Sequence, residues 1–106
     1  MIIFGGAGNQ NDVWALDLTN SSPEWTPLHD GTGTAPAGRD NHSAVVYGDK
    51  MIIYGGTTWP TFHDDVWEFD LTNNTWSGPK TTTGTSPGGL RTHSSVLSNG
   101  KMLFLF

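Results

Sequence analysis

The hydrophobic residues of this chain occur in short runs separated by glycine, proline, asparagine and aspartate. The runs are rich in β-branched and aromatic residues, and turn-forming residues lie between them, which is the pattern of β-strands. No segment has the long, breaker-free periodicity that a helical bundle requires. The pattern predicts strands over residues 1–4, 13–18, 24–28, 42–47, 51–54, 66–71, 75–77, 93–97 and 102–106.

The strands recur with a period of about 50 residues, which indicates a repeat architecture. MIIFGG at residues 1–6 returns as MIIYGG at 51–56, and a third copy begins at residue 102. Other segments return in the same order: DVW at 12–14 and 65–67, Trp25 and Trp76, and His-Ser at 42–43 and 93–94. Each unit therefore contains four short strands, named A to D, in which residues 42–47 and 93–97 are strand A and the MII segments are strand B.

Four strands repeated at this period are typical of a β-propeller blade. The sequence resembles the kelch repeat family in RDNHS at 39–43, MIIYGG at 51–56, DVWEFDL at 65–71 and Trp76. The resemblance implies an all-β, kelch-type β-propeller fragment of about two four-stranded antiparallel blades plus part of a third. The units are expected at approximately 1–41, 42–92 and 93–106. One departure is that Arg39 lies three residues before His42, whereas Arg91 lies two before His93.

The number of units is too small to close a ring, because propellers usually contain four to eight blades. We expect the chain to be part of a larger propeller whose remaining blades come from the same parent chain. The alternative is that several copies associate through open strand edges. The surplus strand at 102–106 duplicates residues 1–4 and counts against such an assembly.

Composition and charge narrow the possible partners. The net charge is −5, whereas a phosphate-binding surface is normally basic, so a nucleic-acid partner is not expected. No apolar run is long enough to span a membrane. The chain contains no cysteine, which excludes disulfides and thiolate metal sites, and no cofactor is expected. The absence of cysteine and of a signal peptide favours the cytoplasm, while sequons at Asn20, Asn41 and Asn73 leave secretion open.

Ten recurring residues are predicted to be structural. The glycines that end strand B permit positive φ and close backbone approach. The tryptophans are expected to pack between successive sheets. The histidines at the start of strand A are interpreted as hydrogen-bonded structural residues and not as metal ligands. These residues are Gly5, Gly6, Gly55, Gly56, Trp14, Trp25, Trp67, Trp76, His42 and His93. Asp12 and Asp65 open strand C, where their carboxylates are expected to accept backbone N–H groups.

The loop between strands B and C differs most between the units. In the second unit it is three residues longer and contains Trp59, Pro60 and Phe62, which have no counterpart in the repeat. In an up-and-down sheet the B–C loops and the D–A connectors lie at the same end, and loops on a rigid scaffold commonly carry binding residues. The residues predicted to share a partner-binding rim are Arg39, Asp40, Trp59, Phe62, His63 and Arg91. The alternative is that Trp59 and Phe62 only cover the neighbouring blade.

Three functions are consistent with this sequence. The leading hypothesis is a protein-interaction module that binds a protein partner on this rim and has no catalytic residues of its own. A second is a kelch-type enzyme. One such type is similar to galactose oxidase, whose site requires a cysteine-modified tyrosine. The other is similar to the plant specifier proteins, and the segment Phe62-His63-Asp64-Asp65 resembles their iron-binding loop. A third is a carbohydrate-binding surface protein, which an exposed tryptophan and the sequons would suit.

Overall fold

The computed structural model describes residues 1–105, and Phe106, the last residue of the final predicted strand, lies outside them. All regular elements in these residues are strands, so no helix is present to cross a membrane. The strands are β1 (Ile2–Gly6), β2 (Gln10–Asp17), β3 (Glu24–His29), β4 (Ser43–Tyr47), β5 (Lys50–Tyr54), β6 (Thr57–Thr58), β7 (Thr61–Phe62), β8 (Val66–Asp70), β9 (Thr75–Ser77), β10 (Ser94–Ser98) and β11 (Lys101–Leu105).

The strands form three successive antiparallel sheets and one small hairpin. Sheet 1 has the order β1-β2-β3, sheet 2 the order β4-β5-β8-β9, and sheet 3 consists of β10 and β11. The hairpin, β6-β7, is an excursion between the second and third strands of sheet 2. Each predicted strand is present to within a few residues. The two strands of the hairpin were not predicted, because two-residue strands are too short to show a period of two.

Tight turns set the register of the A–B strand pairs. Tyr47 pairs with Lys50 and Ser98 pairs with Lys101, which leaves two residues in each turn. Gly48 has φ +63°, and Asn99 and Gly100 have φ +50° and +70°. These left-handed conformations are those of the primed turns that match the twist of a hairpin, and they explain the Gly-Asp and Asn-Gly sequences.

The main hydrophobic core lies between sheets 1 and 2. Trp76 is at its centre, with its ring centroid 4.9 Å from that of Phe4 in sheet 1 and 5.0 Å from that of Phe69 in sheet 2. Trp67 meets Trp76 edge to face at 6.3 Å, and Phe69 is fully buried. Edge-to-face packing of this kind adds to the stabilisation from burying the rings.

The recurrent tryptophans differ in burial between the two sheets: Trp67 and Trp76 pack between sheets 1 and 2, and residues 1–105 do not test the predicted packing of Trp14 and Trp25. Trp67 and Trp76 are 8% and 6% exposed, whereas their counterparts Trp14 and Trp25 are 37% and 49% exposed. Trp14 and Trp25 belong to the face of sheet 1 that corresponds to the core face of sheet 2, and no other part of residues 1–105 covers that face. For the same reason β1 is buried on one face only: Ile3 is exposed and Phe4 is buried.

Candidate partner-binding surface

The β6-β7 hairpin is attached to the connector that leads from sheet 1 to sheet 2. Asp40 and Thr57 exchange two backbone hydrogen bonds, of 3.1 and 2.8 Å. The hydroxyl of Thr58 donates to the carbonyl of Gly38 at 2.5 Å and also contacts His63 Nε2 at 2.7 Å. These bonds fix the first leg of the hairpin to the scaffold, and the second leg pairs with the first, so the residues at the tip have a defined position.

Three of the predicted rim residues come together on this hairpin. Trp59, at the tip, is 74% exposed, and its ring meets that of Phe62 edge to face at 6.2 Å. The guanidinium of Arg91, from the connector between sheets 2 and 3, lies 4.8 Å from the centre of the Phe62 ring. That distance is within the range of a cation–π interaction. The hairpin therefore presents two aromatic rings and an arginine on one rim.

Arg39 differs from the exposed rim residue that the sequence predicts, because its side chain points into the protein and is fully buried. Its two Nη atoms donate to the two carboxylate oxygens of Asp65, at 2.5 and 3.1 Å. Nη1 also donates to the carbonyl of Gly55, and Nε to the carbonyl of Ala37. Arg39 therefore supports the base of the hairpin from below and is not available to a partner.

The register of the connectors explains why Arg39 and Arg91 have different surroundings. The N–H of Gly6 donates to the carbonyl of Arg39, and the N–H of Gly56 donates to that of Leu90. Leu90 is thus the structural counterpart of Arg39, and Arg91 is one position further along. This single-residue offset places the Arg91 side chain on the surface, where it reaches Phe62.

The glycines that end strand B are required where the next connector passes. Gly5 and Gly55 have φ +66° and +73°. A Cβ at these positions would lie 2.6 Å from the carbonyl oxygen of Arg39 and 2.7 Å from that of Leu90. Both the left-handed backbone and the close approach therefore exclude a side chain.

Asp12 and Asp65 bind indole N–H groups, which differs from the expected pairing with backbone N–H groups. Trp14 Nε1 donates to Asp12 at 2.7 Å, and Trp67 Nε1 donates to Asp65 at 2.8 Å. The recurrent Asp-Val-Trp segment indicates this contact, because residues i and i+2 lie on the same side of a strand. Partial burial disfavours the ionised form of Asp65, but the hydrogen bonds from Arg39 and Trp67 outweigh it and lower the pKa of the carboxyl.

The environment of His63 favours the neutral form of its ring. Partial burial lowers the pKa of His63, and the nearby guanidinium of Arg39 lowers it further. His63 and Asp65, which the specifier-protein resemblance offered as metal ligands, contact Thr58 and Arg39 respectively. Among residues 1–105, no group of three histidine, aspartate or glutamate side chains is arranged to hold a metal ion.

His42 and His93 lie at the boundaries between sheets. The His42 ring is 5.2 Å from that of Phe4 in sheet 1, and the His93 ring is 6.2 Å from that of Tyr54 in sheet 2. His93 Nε2 contacts the Ser43 hydroxyl at 2.7 Å. Within the described part of the chain, the Nδ1 atom of each ring is buried without a hydrogen-bond partner, so protonation would bury an unpaired charge. Burial lowers the pKa of His93, and burial together with Arg39 lowers the pKa of His42 to about 4.

Stability is expected to fall between about pH 6.5 and pH 4 because of His42. Its pKa is depressed from 6.5 to about 4 on folding, so the unfolded chain binds the proton first as the pH falls. The stabilisation is complete above pH 6.5 and is lost on approaching the folded-state value, a loss of up to about 3 kcal/mol at about 1.4 kcal/mol per pKa unit. Urea unfolding of the wild type and of His42→Gln across this range checks the prediction. Parallel pH profiles for the two proteins would contradict it.

Sequential antiparallel sheets of up to four strands, packed face to face through recurrent tryptophans, define the blades of a β-propeller. The solved structure of YjhT has the same fold, with a TM-score of 0.76 over 97% of this chain and 29% of that one, at 20% identity. The family model for the KLHDC2/KLHL20/DRC7 Kelch-repeats domain matches residues 1–106. The chain therefore belongs to the kelch-repeat family.

Curated relatives come from animals and plants. The chain is 30% identical to human Host cell factor 2 over 94% of its own length and 15% of that protein's length. It is 33% identical to Adagio protein 3 of Arabidopsis thaliana over 97% of its length and 17% of that protein's. It is also 33% identical to Acyl-CoA-binding domain-containing protein 4 of the same plant, over 74% of this chain and 12% of that protein. The chain thus spans less than a fifth of the length of these relatives.

Proposed function

We propose that this chain is a protein-interaction module that binds its partner on a docking rim made of Asp40, Trp59, Phe62, His63 and Arg91, without catalysis of its own. Arg39 has a positioning role beneath this rim. The proposal rests on one observation above all: Trp59 is 74% exposed at the tip of a hairpin whose first leg is hydrogen-bonded to the scaffold and whose second leg pairs with the first.

An exposed tryptophan in a fixed position is well suited to binding. Tryptophan and arginine are enriched among the residues that contribute most to protein interfaces, and their contribution is largest when a partner excludes water from them. A hairpin that is already ordered loses little conformational entropy on association. The kelch-repeat family membership supports an interaction function, because blades of this kind provide a rigid platform for variable loops.

Removal of the exposed aromatic ring is expected to weaken partner binding by at least tenfold, since a residue of this kind commonly contributes more than about 1.4 kcal/mol to an interface. The test is quantitative affinity capture by the full-length protein that contains this chain, followed by Kd measurement with each partner recovered. The variants are Trp59→Ala, Phe62→Ala and Arg91→Ala.

Leu18→Ala is a matched control. Leu18 is 62% exposed in the turn region beyond β2, at the opposite end of sheet 1 from the docking rim, so the substitution removes exposed apolar surface without touching the rim. We expect wild-type affinity for this variant. If all three rim variants keep wild-type affinity for every partner while remaining folded, the docking rim is not the binding site.

A further inference from the structure

The charges around the docking rim are mostly negative and mostly unpaired. Three aspartates, Asp30, Asp40 and Asp64, lie on the B–C loops and D–A connectors, and a fourth, Asp12, lies near the start of β2; none of the four forms an ion pair among residues 1–105. A fifth, Asp65, is paired with Arg39. Two cations lie on the connector between sheets 2 and 3: Lys80 is paired with Glu68, and Arg91 is exposed with its guanidinium over Phe62. The lowered pKa of His63 favours the neutral form of its ring, so His63 adds little positive charge near neutral pH.

One aromatic ring of the hairpin, that of Phe62, already binds a cation. Arg91 lies 4.8 Å from the centre of the Phe62 ring, so one guanidinium is bound to an aromatic face of the hairpin. Tryptophan attracts a cation more strongly than phenylalanine does. Trp59 is 74% exposed, and no cation of the described residues lies over its ring. The stronger of the two rings is therefore open to a cation from outside the chain.

Two carboxylates lie on the segments that adjoin this hairpin. Asp40 is bonded through its backbone to Thr57, at the base of the first leg of the hairpin, and Asp64 follows the second leg and is exposed. A carboxylate near an aromatic face strengthens the attraction for a cation, and an excess of negative charge on one rim speeds the approach of a basic partner. The same carboxylates disfavour a phosphate backbone.

We propose that the docking rim binds a basic segment of a protein partner, with a lysine or arginine side chain stacked on Trp59 and its charge attracted by the carboxylates of the adjoining segments, Asp40 and Asp64. This inference rests on the proposed function and specifies the chemistry of the partner. The aspartates of the rim would repel the carboxylates of an acidic segment, and a neutral segment would gain no attraction from them.

Short acetylated and amidated peptides test the proposal against the full-length protein that contains this chain. One set carries lysine or arginine at alternate positions, a second carries norleucine at those positions, and a third carries glutamate. Titration calorimetry is expected to show binding of the basic set alone, with an affinity that decreases as salt increases. Trp59→Ala is expected to weaken this binding by about tenfold and Trp59→Phe by less, because an aromatic face remains.

Charge variants test the contribution of the carboxylates to binding separately from that of the Trp59 ring. Asp40→Asn and Asp64→Asn are each expected to weaken binding of the basic peptides several-fold and to reduce its salt dependence. Asp49→Asn is the matched control, because Asp49 is an exposed aspartate in the turn at the opposite end of sheet 2. This variant is expected to bind as the wild type does.

The outcomes distinguish this inference from the proposed function. Equal binding of the norleucine or glutamate peptides, no binding of the basic peptides, or binding of neutral oligosaccharides at Trp59 would each overturn the basic-partner proposal. The capture experiment decides the proposed function separately. A partner whose binding is lost on Trp59→Ala but which lacks a basic segment would support the docking rim as the binding site and contradict the basic-partner proposal.

Discussion

Replacement of Asp65 by alanine is expected to lower the free energy of unfolding by about 3–5 kcal/mol, which is the usual effect of removing one partner of a buried ion pair. The side chain of Arg39 is 1% exposed, so its guanidinium would remain inside the protein without a counter-charge. Asp65 also accepts the indole N–H of Trp67, and that hydrogen bond would be lost as well. Chemical unfolding followed by tryptophan fluorescence measures the change.

Asp12→Ala is the matched control for this substitution. Asp12 occupies the same position in the repeat and accepts the indole N–H of Trp14, but it forms no ion pair among residues 1–105. It is expected to cost only about 1 kcal/mol, the usual value of one hydrogen bond. Similar losses of unfolding free energy for Asp12→Ala and Asp65→Ala would show that the buried charge of Arg39 does not need Asp65 as a counter-charge.

A double-mutant cycle isolates the ion pair itself. Arg39→Met is expected to cost less than Asp65→Ala, because the side chain of Asp65 is 26% exposed and keeps some contact with water. The double variant Arg39→Met/Asp65→Ala is expected to be more stable than the sum of the single changes predicts, since no buried charge is left unpaired. Additive losses would contradict a direct coupling between the two residues.

Trp76→Ala is expected to be the most damaging of the tryptophan truncations, with a loss of about 3–5 kcal/mol. Its ring packs against Phe4, Phe69 and Trp67 with centroid distances of 4.9 to 6.3 Å, so removal leaves a cavity at the junction of sheets 1 and 2. The loss combines the burial of a large ring with its aromatic contacts. Thermal and urea unfolding of the 106-residue chain provide the measurement.

Trp25→Ala tests whether burial or repeat position determines this effect. Trp25 is the counterpart of Trp76 in sheet 1, but it is 49% exposed. Its truncation in the same chain is expected to cost about 1 kcal/mol or less, as for a surface position. Equal losses for the two variants would mean that the recurrent tryptophan contributes through its own sheet and not through the packing between sheets.

Much of the fold was predictable because it depends on local sequence. The order of the strands follows from turn residues at fixed places, such as Asn99 and Gly100 with φ +50° and +70°. The B–C loop of the second unit was also identified as exceptional, since Trp59 and Phe62 have no counterpart in the first unit. Both signals lie within a few residues of the feature that they predict.

The contacts that shape the candidate site could not be predicted in the same way. Arg39 and Asp65 are 26 residues apart in the sequence, and only their spatial meeting turns a candidate binding arginine into a buried support. The offset that makes Leu90, and not Arg91, the counterpart of Arg39 is visible in the spacing, because Leu90 and Arg39 each lie three residues before a recurrent histidine. The burial of Arg39 and the exposure of Arg91 depend on packing across two sheets, which the spacing of residue types does not show.

The sequence alone determined that this chain forms short antiparallel strands in a kelch-type repeat, because strand propensity, glycine turns and a period of about 50 residues are local or periodic properties. The tertiary structure alone decided which copy of each repeated residue is buried and which is exposed. Trp76 and Trp25 have the same place in the repeat, yet within residues 1–105 only Trp76 has a neighbouring sheet against its ring. Burial is a property of what lies opposite a side chain, and that neighbour comes from a distant part of the chain.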